Sequence, residues 1–433
     1  MLLLNAPRIP KDAAKAAKRI SPEFGQIITP ETLTTLLGLP NILVSGFFLE
    51  KEENNEHLHL FCEHQYQVAI CPCCQTASNV VYENKKPRSV RHLDVWDKQT
   101  IIHFNPRRFE CDVCGKPFTE QLNWLEPKRR QTIPFENYIY QRVLKTPRKH
   151  VANEEGLSES TVLKIFKKQA KRATRHNPNI DQKIRVLGVD EISLRKAHKQ
   201  YALVISDLER RCVIAVLENR LKATFEEWLD ALPKDELKAI KVVSMDMWEP
   251  YRQAVRTKLP WADIVADRFH VVKQLNRQLD LLRKKVQRDA DEELAKLLKG
   301  CRWIILKPRR NLSAKEQAKL QPILDACPEL RTVYLLKEQF RTICDKIKQK
   351  ERAERFLKVW LYQAQATGIR YLKKFSKTLK NWWVEFLNYF DEGITQGFVE
   401  GTNRAIRGII NRAFGFRNFE NFRLQVLAEH GPP

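Results

Sequence analysis

The 433-residue sequence has no apolar run near the ~18 residues that a membrane-spanning helix requires, which excludes a helical membrane protein. The opening Met1-Leu2-Leu3-Leu4 is interrupted at once by Asn5, Pro7, Arg8 and Pro10. That falls short of the ~7–15-residue apolar core of a secretory signal, so a cytoplasmic location is expected. No Gly-rich phosphate loop occurs; Gly401 and Gly408 fall on or near a helix, and nothing points to a bound nucleotide. Acid is also short. Asp and Glu number 52 against 76 Lys and Arg, leaving a formal charge of +24 with no acidic block to offset it. With 43% hydrophobic and 30% charged residues the chain is neither a disordered tail nor a lipid-embedded one, and its length predicts two to four domains.

A charge of +24 destabilises a compact chain by self-repulsion unless a polyanion is its partner, where counterion release converts the field into affinity. The basic residues are clumped along the chain: Lys128-Arg129-Arg130, Arg148-Lys149-His150, Lys167-Lys168, Lys171-Arg172, Arg283-Lys284-Lys285 and Arg309-Arg310. Any one cluster reads first as a solvated face. Spread over the whole length they favour nucleic acid, with a membrane surface the weaker alternative because no lysine-faced helix carries a long apolar face. Residues 1–31, rich in Pro, Ala and Lys, read as a basic extension with a short helix at 11–19.

Ten cysteines in a reducing compartment read as ligands or buried apolar groups rather than disulfides. Cys71 with Cys74 and Cys111 with Cys114 form two C-x₂-C knuckles, joined by strand-like sequence such as Thr100–Phe104. Four thiolates so placed suit a tetrahedral, structural Zn²⁺ that keeps no open position for water. Cys73 is read as a bystander, with Cys62 and His64 as lower-ranked substitutes. Cys212, Cys301, Cys327 and Cys344 stand alone and read as core.

After Pro134 the period becomes helical, Pro147 breaks it, and Ala152, Gly156 and Val162 follow with helix-turn-helix spacing. The small Ala permits close helix approach, Gly permits a left-handed turn, and Val packs into the angle between the helices. Ser158 is the expected N-cap of the second helix. That helix presents Ser160, Thr161, Lys164 and Lys168 toward a groove, and Lys167, Lys171 and Arg172 toward phosphates.

From Arg185 the pattern changes to strands. Three β-runs (185–190, 201–207, 212–217) with short connections precede a helix, the strand 240–246, a helix at 250–259 and the strand 264–267. This order predicts an α/β domain of ribonuclease-H-like type, in which the first and fourth strands are neighbours and carry Asp190 and Asp246 to one edge. A strand-end Asp is often only a turn residue. Two close carboxylates, however, raise each other's pKa unless a cation neutralises them, and oxygen donors suit Mg²⁺ or Mn²⁺. A two-metal site needs a third carboxylate, and Glu400 is the best candidate, followed on its helix by Asn403, Arg404 and Arg407. Asp267 and His270 read equally as a strand-end and helix-start pair or as groups that place substrate. The 133 residues between Asp267 and Glu400 far exceed a crossover and read as a helical insertion, about 275–390, with a break at Lys307-Pro308. Its aromatic stretch, Tyr371, Phe375, Leu379, Trp382, Trp383, Phe386 and Phe390, keeps helical spacing; core packing is the first reading and base stacking the second.

The strings Leu187-Gly188-Val189-Asp190-Glu191, Val265-Ala266-Asp267-Arg268-Phe269-His270, Gly397-Phe398-Val399-Glu400-Gly401-Thr402-Asn403 and Phe414-Gly415-Phe416-Arg417-Asn418-Phe419 resemble the DDE transposases of bacterial insertion sequences, in the group called the ISL-three family. The resemblance covers roughly residues 32–430. It implies an α/β multidomain chain: a basic extension (1–31), a zinc ribbon domain (32–125), a DNA-binding helix-turn-helix (130–178) and a ribonuclease-H-like DDE domain (183–433). It implies Asp190, Asp246 and Glu400 as a triad for two Mg²⁺ or Mn²⁺ ions, and Cys71, Cys74, Cys111 and Cys114 as ligands of a structural Zn²⁺. It further implies binding of terminal inverted repeats and target DNA, strand cleavage and transfer, a homodimer or higher synaptic assembly, and a nucleoid-associated bacterial location. A domesticated DNA-binding protein without catalysis, or a metal-dependent nuclease without strand transfer, are the alternatives.

Overall fold

The computed structural model describes residues 29–52, 55–84, 86–175, 183–195, 200–392 and 397–432. The helix expected at 11–19 lies outside them. The chain divides into two compact units, residues 1–169 and 170–433.

In the first unit, helix α1 (Pro30–Leu37) starts at Thr29, whose hydroxyl accepts from the Thr32 amide, and stops at Gly38, which takes the left-handed conformation. Strands β1 (Ile42–Glu52), β2 (Asn55–His64), β6 (Arg88–Arg91) and β7 (Gln99–Phe104) form one sheet in the order β1-β2-β7-β6. Alternation buries Leu58, Leu60, Val90, Ile102 and Phe104 on one face against Leu33, Leu37 and Trp124. Smaller strands carry the cysteine knuckles. A hairpin joins β3 (Ala69–Ile70) to β4 (Ala77–Ser78), and β5 (Val81–Asn84), β8 (Arg107–Glu110) and β9 (Pro117–Thr119) make a three-stranded sheet.

Three helices follow: α2 (Ile133–Val143), α3 (Arg148–Glu154) and α4 (Glu159–Arg175). Thr132 caps α2, and Pro147 occupies the N-cap position of α3. Ala152 and Val162 are buried and Gly156 has φ +63°, so each takes the role that its spacing predicts. The Ser158 hydroxyl accepts from the Thr161 amide at 3.2 Å and caps α4 as expected.

The second unit is built on a five-stranded sheet in the order β12-β11-β10-β13-β14. Its strands are β10 (Val186–Arg195), β11 (Gln200–Asp207), β12 (Cys212–Leu217), β13 (Val242–Met245) and β14 (Asp263–Ala266). The first three are antiparallel and β10, β13 and β14 run parallel. Short helices α5 (Lys222–Asp230) and α6 (Lys234–Ala239) lead to β13, and α7 (Glu249–Lys258) leads to β14. One face packs Leu187, Val189 and Met245 against Phe225, Leu229, Tyr251 and Val255 of α5 and α7. The other packs Ile192 and Val204 against Ile406, Ile409 and Phe422, from α16 (Gly397–Arg412) and α17 (Phe419–His430).

Between β14 and α16 the chain is helical: α8 (Arg268–Asp289), α9 (Glu292–Leu298), α10 (Arg302–Leu306), α11 (Ala314–Ala326), α12 (Pro328–Lys346), α13 (Lys350–Ala366), α14 (Arg370–Asn381) and α15 (Trp383–Glu392). These share a core around Leu275, Leu330, Phe340, Trp360, Phe375 and Phe386. The aromatic stretch differs from a single helical face, because the chain breaks at Trp382 (φ −112°, ψ 26°) between α14 and α15. Most of its rings are core, and Trp382 leaves the helical core to join that of the sheet, under the Arg252 guanidinium at 4.3 Å.

Candidate active site and zinc centre

The two cysteine knuckles have the same backbone. Cys71 accepts from the Gln75 amide and donates to Thr76 O, and Cys111 likewise accepts from Gly115 and donates to Lys116 O. Gln75 and Gly115 supply the left-handed residue that each turn needs. The sulfurs of Cys71, Cys74, Cys111 and Cys114 all lie within 4.8 Å of one another. Zn–S bonds of ~2.3 Å require sulfurs about 3.8 Å apart. The Cys71–Cys114 and Cys74–Cys111 separations are 3.7 and 3.4 Å, close to that spacing, so the four thiols are gathered as the ion needs them. Hydrogen bonds from Thr76 and Cys111 lower the Cys74 thiol to about 6. At Cys114 the Lys116 amide lowers the pKa, but burial and the other three thiols outweigh it and push it to about 12. Four thiols cannot all ionise together unless a cation joins them. Cys73 is exposed, and Cys62 is buried with its thiol raised to about 12 by desolvation; neither joins the set.

On α4, Ser160 and Lys164 are exposed, Thr161 and Lys167 half-buried, and Lys171 and Arg172 exposed. Lys168 is engaged: its ammonium pairs with Glu126 and with Glu136 at 2.7 Å. Glu136 is only 1% exposed and also binds Arg129 at 2.5 Å, so Lys168 helps to neutralise a buried carboxylate between α2 and α4.

The parallel pairing of β10 with β13 matches Val189 to Met245, and the next residues are Asp190 and Asp246. Asp246 follows the end of β13 as expected, but β10 runs on to Arg195, because its ladder with β11 continues, so Asp190 lies midway along the strand and does not end it. Burial, then the Asp246 charge, pushes Asp190 up to about 7. Its two oxygens accept from the Glu191 amide (2.7 Å) and from the Asn403 side chain. Asn403 is buried, so its amide orients a carboxylate from within α16. Glu400 is exposed one turn earlier on the same helix; Arg404 and Arg407 are also exposed there. The gathered metal-ligand group is a different one, Asp246 with Asp267 and His270.

Asp267 caps α8 through the Phe269 amide and turns its other oxygen to His270 Nδ1 at 2.7 Å. The same nitrogen lies 2.5 Å from Asp246 Oδ1. Burial lowers the imidazole pKa, but the carboxylates of Asp246 and Asp267 overcome it and lift it to about 10. One Nδ1 proton serves only one acceptor. Its alignment favours Asp267, which leaves Asp246 Oδ1 buried without a hydrogen bond. A desolvated carboxylate oxygen whose partner is the imidazolium charge, beside a second acid, is a place that a hard cation could take over, and the donors here are chiefly oxygen. Asp267 and His270 were visible in the sequence as a strand-end motif, but their link to Asp246 was not. Behind them Glu191 accepts from Tyr251 (3.0 Å) and Arg220 (3.1 Å), a pair of contacts with no sequence signal, because the partners come from separate elements.

A four-thiolate ribbon, a basic helix-turn-helix and a mixed sheet with acids clustered at one edge define a class of multidomain protein that acts on DNA. The comparisons with known proteins narrow that class. The ISL3 family of DDE transposases matches residues 187–426. The zinc finger of the transposases of IS204, IS1001, IS1096 and IS1165 matches residues 67–114, and the helix-turn-helix domain of transposase family ISL3 matches residues 120–170. The transposase for insertion sequence element IS1001 of Bordetella parapertussis is 30% identical over 380 residues, covering 87% of this chain and 92% of its own. The transposase for insertion sequence element IS1557 of Mycobacterium tuberculosis is 26% identical over 375 residues, covering 80% and 82%. The chain belongs to the ISL3 family of insertion-sequence transposases. No helix among the described residues is long and apolar enough to cross a membrane.

Proposed function

We propose that the protein binds the terminal inverted repeats of an insertion sequence and catalyses metal-dependent strand cleavage and strand transfer into target DNA. The observation that carries this reading is the placing of Asp190, midway along β10, beside Asp246, just past β13, with Asp246 Oδ1 buried and ion-paired to His270. The strand order, three antiparallel strands followed by two parallel ones, supports a ribonuclease-H-like catalytic domain over 183–433, with the helices of about 275–390 inserted in it. The zinc ribbon (32–125) and helix-turn-helix (130–178) hold the DNA ends. Ser160, Thr161 and Lys164 address the groove, and Lys167, Lys171 and Arg172 the backbone. A homodimer or larger assembly synapses two ends in the bacterial cytoplasm.

Asp190, Asp246 and Glu400 are the residues that would hold two Mg²⁺ or Mn²⁺ ions. When bound, such ions supply Lewis acidity at the attacking hydroxyl and at the leaving 3′-oxygen. The protein groups do the rest. Asn403 fixes the rotamer of Asp190, while Asp267 holds His270 beside Asp246. Glu400, exposed on the first turn of α16, would supply the third carboxylate from the helix that carries Asn403, and Arg404 and Arg407 draw the DNA phosphates to that helix. Tyr251 and Arg220 fix Glu191, which stiffens β10 next to Asp190.

Asp246→Asn tests the assignment. It preserves shape while removing charge, so terminal-repeat binding in a gel shift stays within about twofold and Mg²⁺-dependent cleavage falls by at least ~10³-fold. Normal cleavage by that variant would refute the site. A joining assay with a pre-cut 3′ end separates a transposase from a nuclease: a nuclease leaves the pre-cut end unjoined.

A further inference from the structure

The acids do not account for a cavity of about 540 Å³ further along the same face of β10. Asp190, Ile192 and Leu194 alternate onto that face, and Leu194 lines the cavity, roughly 13 Å beyond Asp190. A second link is Arg220. Its guanidinium bonds Glu191, the residue after Asp190, and lies over the rings of Tyr201 (4.2 Å) and Trp248 (5.4 Å), the latter two residues beyond Asp246. The cavity mouth is therefore tied to the neighbours of both acids.

The lining has a particular chemistry. Phe416 and Phe419 offer rings, Tyr201 backs the Arg220 guanidinium, Glu218 and Asn219 offer hydrogen-bonding edges, and Arg220 and Arg417 offer cations. Flat apolar walls, a few polar groups and paired guanidinium ions are what a nucleobase and its phosphates require. Beside it stands an unusual side chain. Phe414 is 94% exposed, with φ +52°, on the loop between α16 and α17, two residues before Phe416. The amide of Phe414 bonds Asn411 O and that of Gly415 bonds Ile410 O, so the backbone that presents the bare ring is held in place. Inserted between base pairs, such an apolar wedge unstacks a step.

We propose that the cavity receives the base of one nucleotide turned out of the terminal duplex beside the reacting phosphate, while Phe414 fills the gap in the stack. This rests on the DNA-cleavage reading above and adds to it a subsite. Arg417 and Arg220 hold the flanking phosphates, and the reacting phosphate is brought to the carboxylates by the kink.

The test uses the full-length protein and terminal duplexes with 2-aminopurine placed singly at each position around the cleavage point. Fluorescence is read with Ca²⁺ in place of Mg²⁺, and Mg²⁺-dependent cutting is measured in parallel on the same duplexes. The expected result is a several-fold rise at one position only, lost in Phe414→Ala and Phe416→Ala. A mismatch at that position, which is cheaper to unstack, should restore about tenfold of the binding that Phe414→Ala loses. Phe414 is exposed, so its variant keeps the fold even if Phe416→Ala does not. A flat signal at every position, or a rise that persists in Phe414→Ala, overturns the subsite. Cutting with a flat signal leaves the transposase reading standing; a localised rise without cutting supports the subsite and removes the cleavage reading.

Discussion

Gly188→Ala is the sharpest probe of how α16 is held to the sheet. A Cβ at Gly188 would meet Leu208 Cδ2 at 2.6 Å, Leu208 Cγ at 3.0 Å and Val399 Cγ2 at 3.3 Å. The Leu208 tip can swing away. Val399 cannot, because it is β-branched, buried and fixed on α16, so the helix must retreat by a few tenths of an ångström. In an ordinary strand Ala is better than Gly by about 0.5–1 kcal/mol. Overpacking of this kind costs about 1–3 kcal/mol, so a net loss of about 1–2 kcal/mol is expected in urea unfolding. The retreat also reaches the acids: Glu400 follows Val399 directly, and Asn403, one turn on, holds Asp190. Misplacement by an ångström costs on the order of 10²-fold in rate, so a few tenths should reduce cleavage several-fold to tenfold, with terminal-repeat binding unchanged. An Ala variant at least as stable as the wild type, or one that is destabilised but cuts normally when fully folded, would refute the reasoning.

Removing zinc, by chelation or by Cys111→Ser, should unfold the knuckles and weaken terminal-repeat binding at least tenfold; amide exchange over β10–β14 should stay unchanged, and protection lost there instead would count against a local structural ion. His92 is buried against Thr132, the cap of α2, and burial followed by the Arg91 charge lowers its pKa to about 4. Between pH 6.5 and about 4 the unfolded chain binds a proton that the folded one refuses, so stability falls with pH through that window by about 3 kcal/mol. His92→Asn should flatten the dependence in urea titrations at pH 7 and 4.5, and equal slopes would exclude His92 as the source.

Much of the chain could be read without a fold because local rules act over short spans. The Cys71/Cys74 and Cys111/Cys114 spacings, the Ala152–Gly156–Val162 turn and the Ser158 cap each depend on residues within a few positions, and the structure has them as read. The pairing of Asp190 with Asp246 also followed, since strand order constrains which strands are neighbours. Periodicity failed at Trp382, where a buried ring under Arg252 ends one helix and begins the next. A tertiary contact outweighed a regular pattern there.

Local order along the chain specified the parts: two thiolate knuckles, a capped basic helix, neighbouring strands that carry acids, and a strongly positive field. How the side chains are shared among partners emerged only on packing. Packing gave the Lys168 ammonium to Glu136, the Asn403 amide to Asp190, and the single Nδ1 proton of His270 to Asp267 rather than Asp246. Backbone conformation is governed by neighbours along the chain, so it is written locally. Hydrogen-bond partners and desolvation depend on which distant groups are excluded from water together, and no spacing along the chain encodes that.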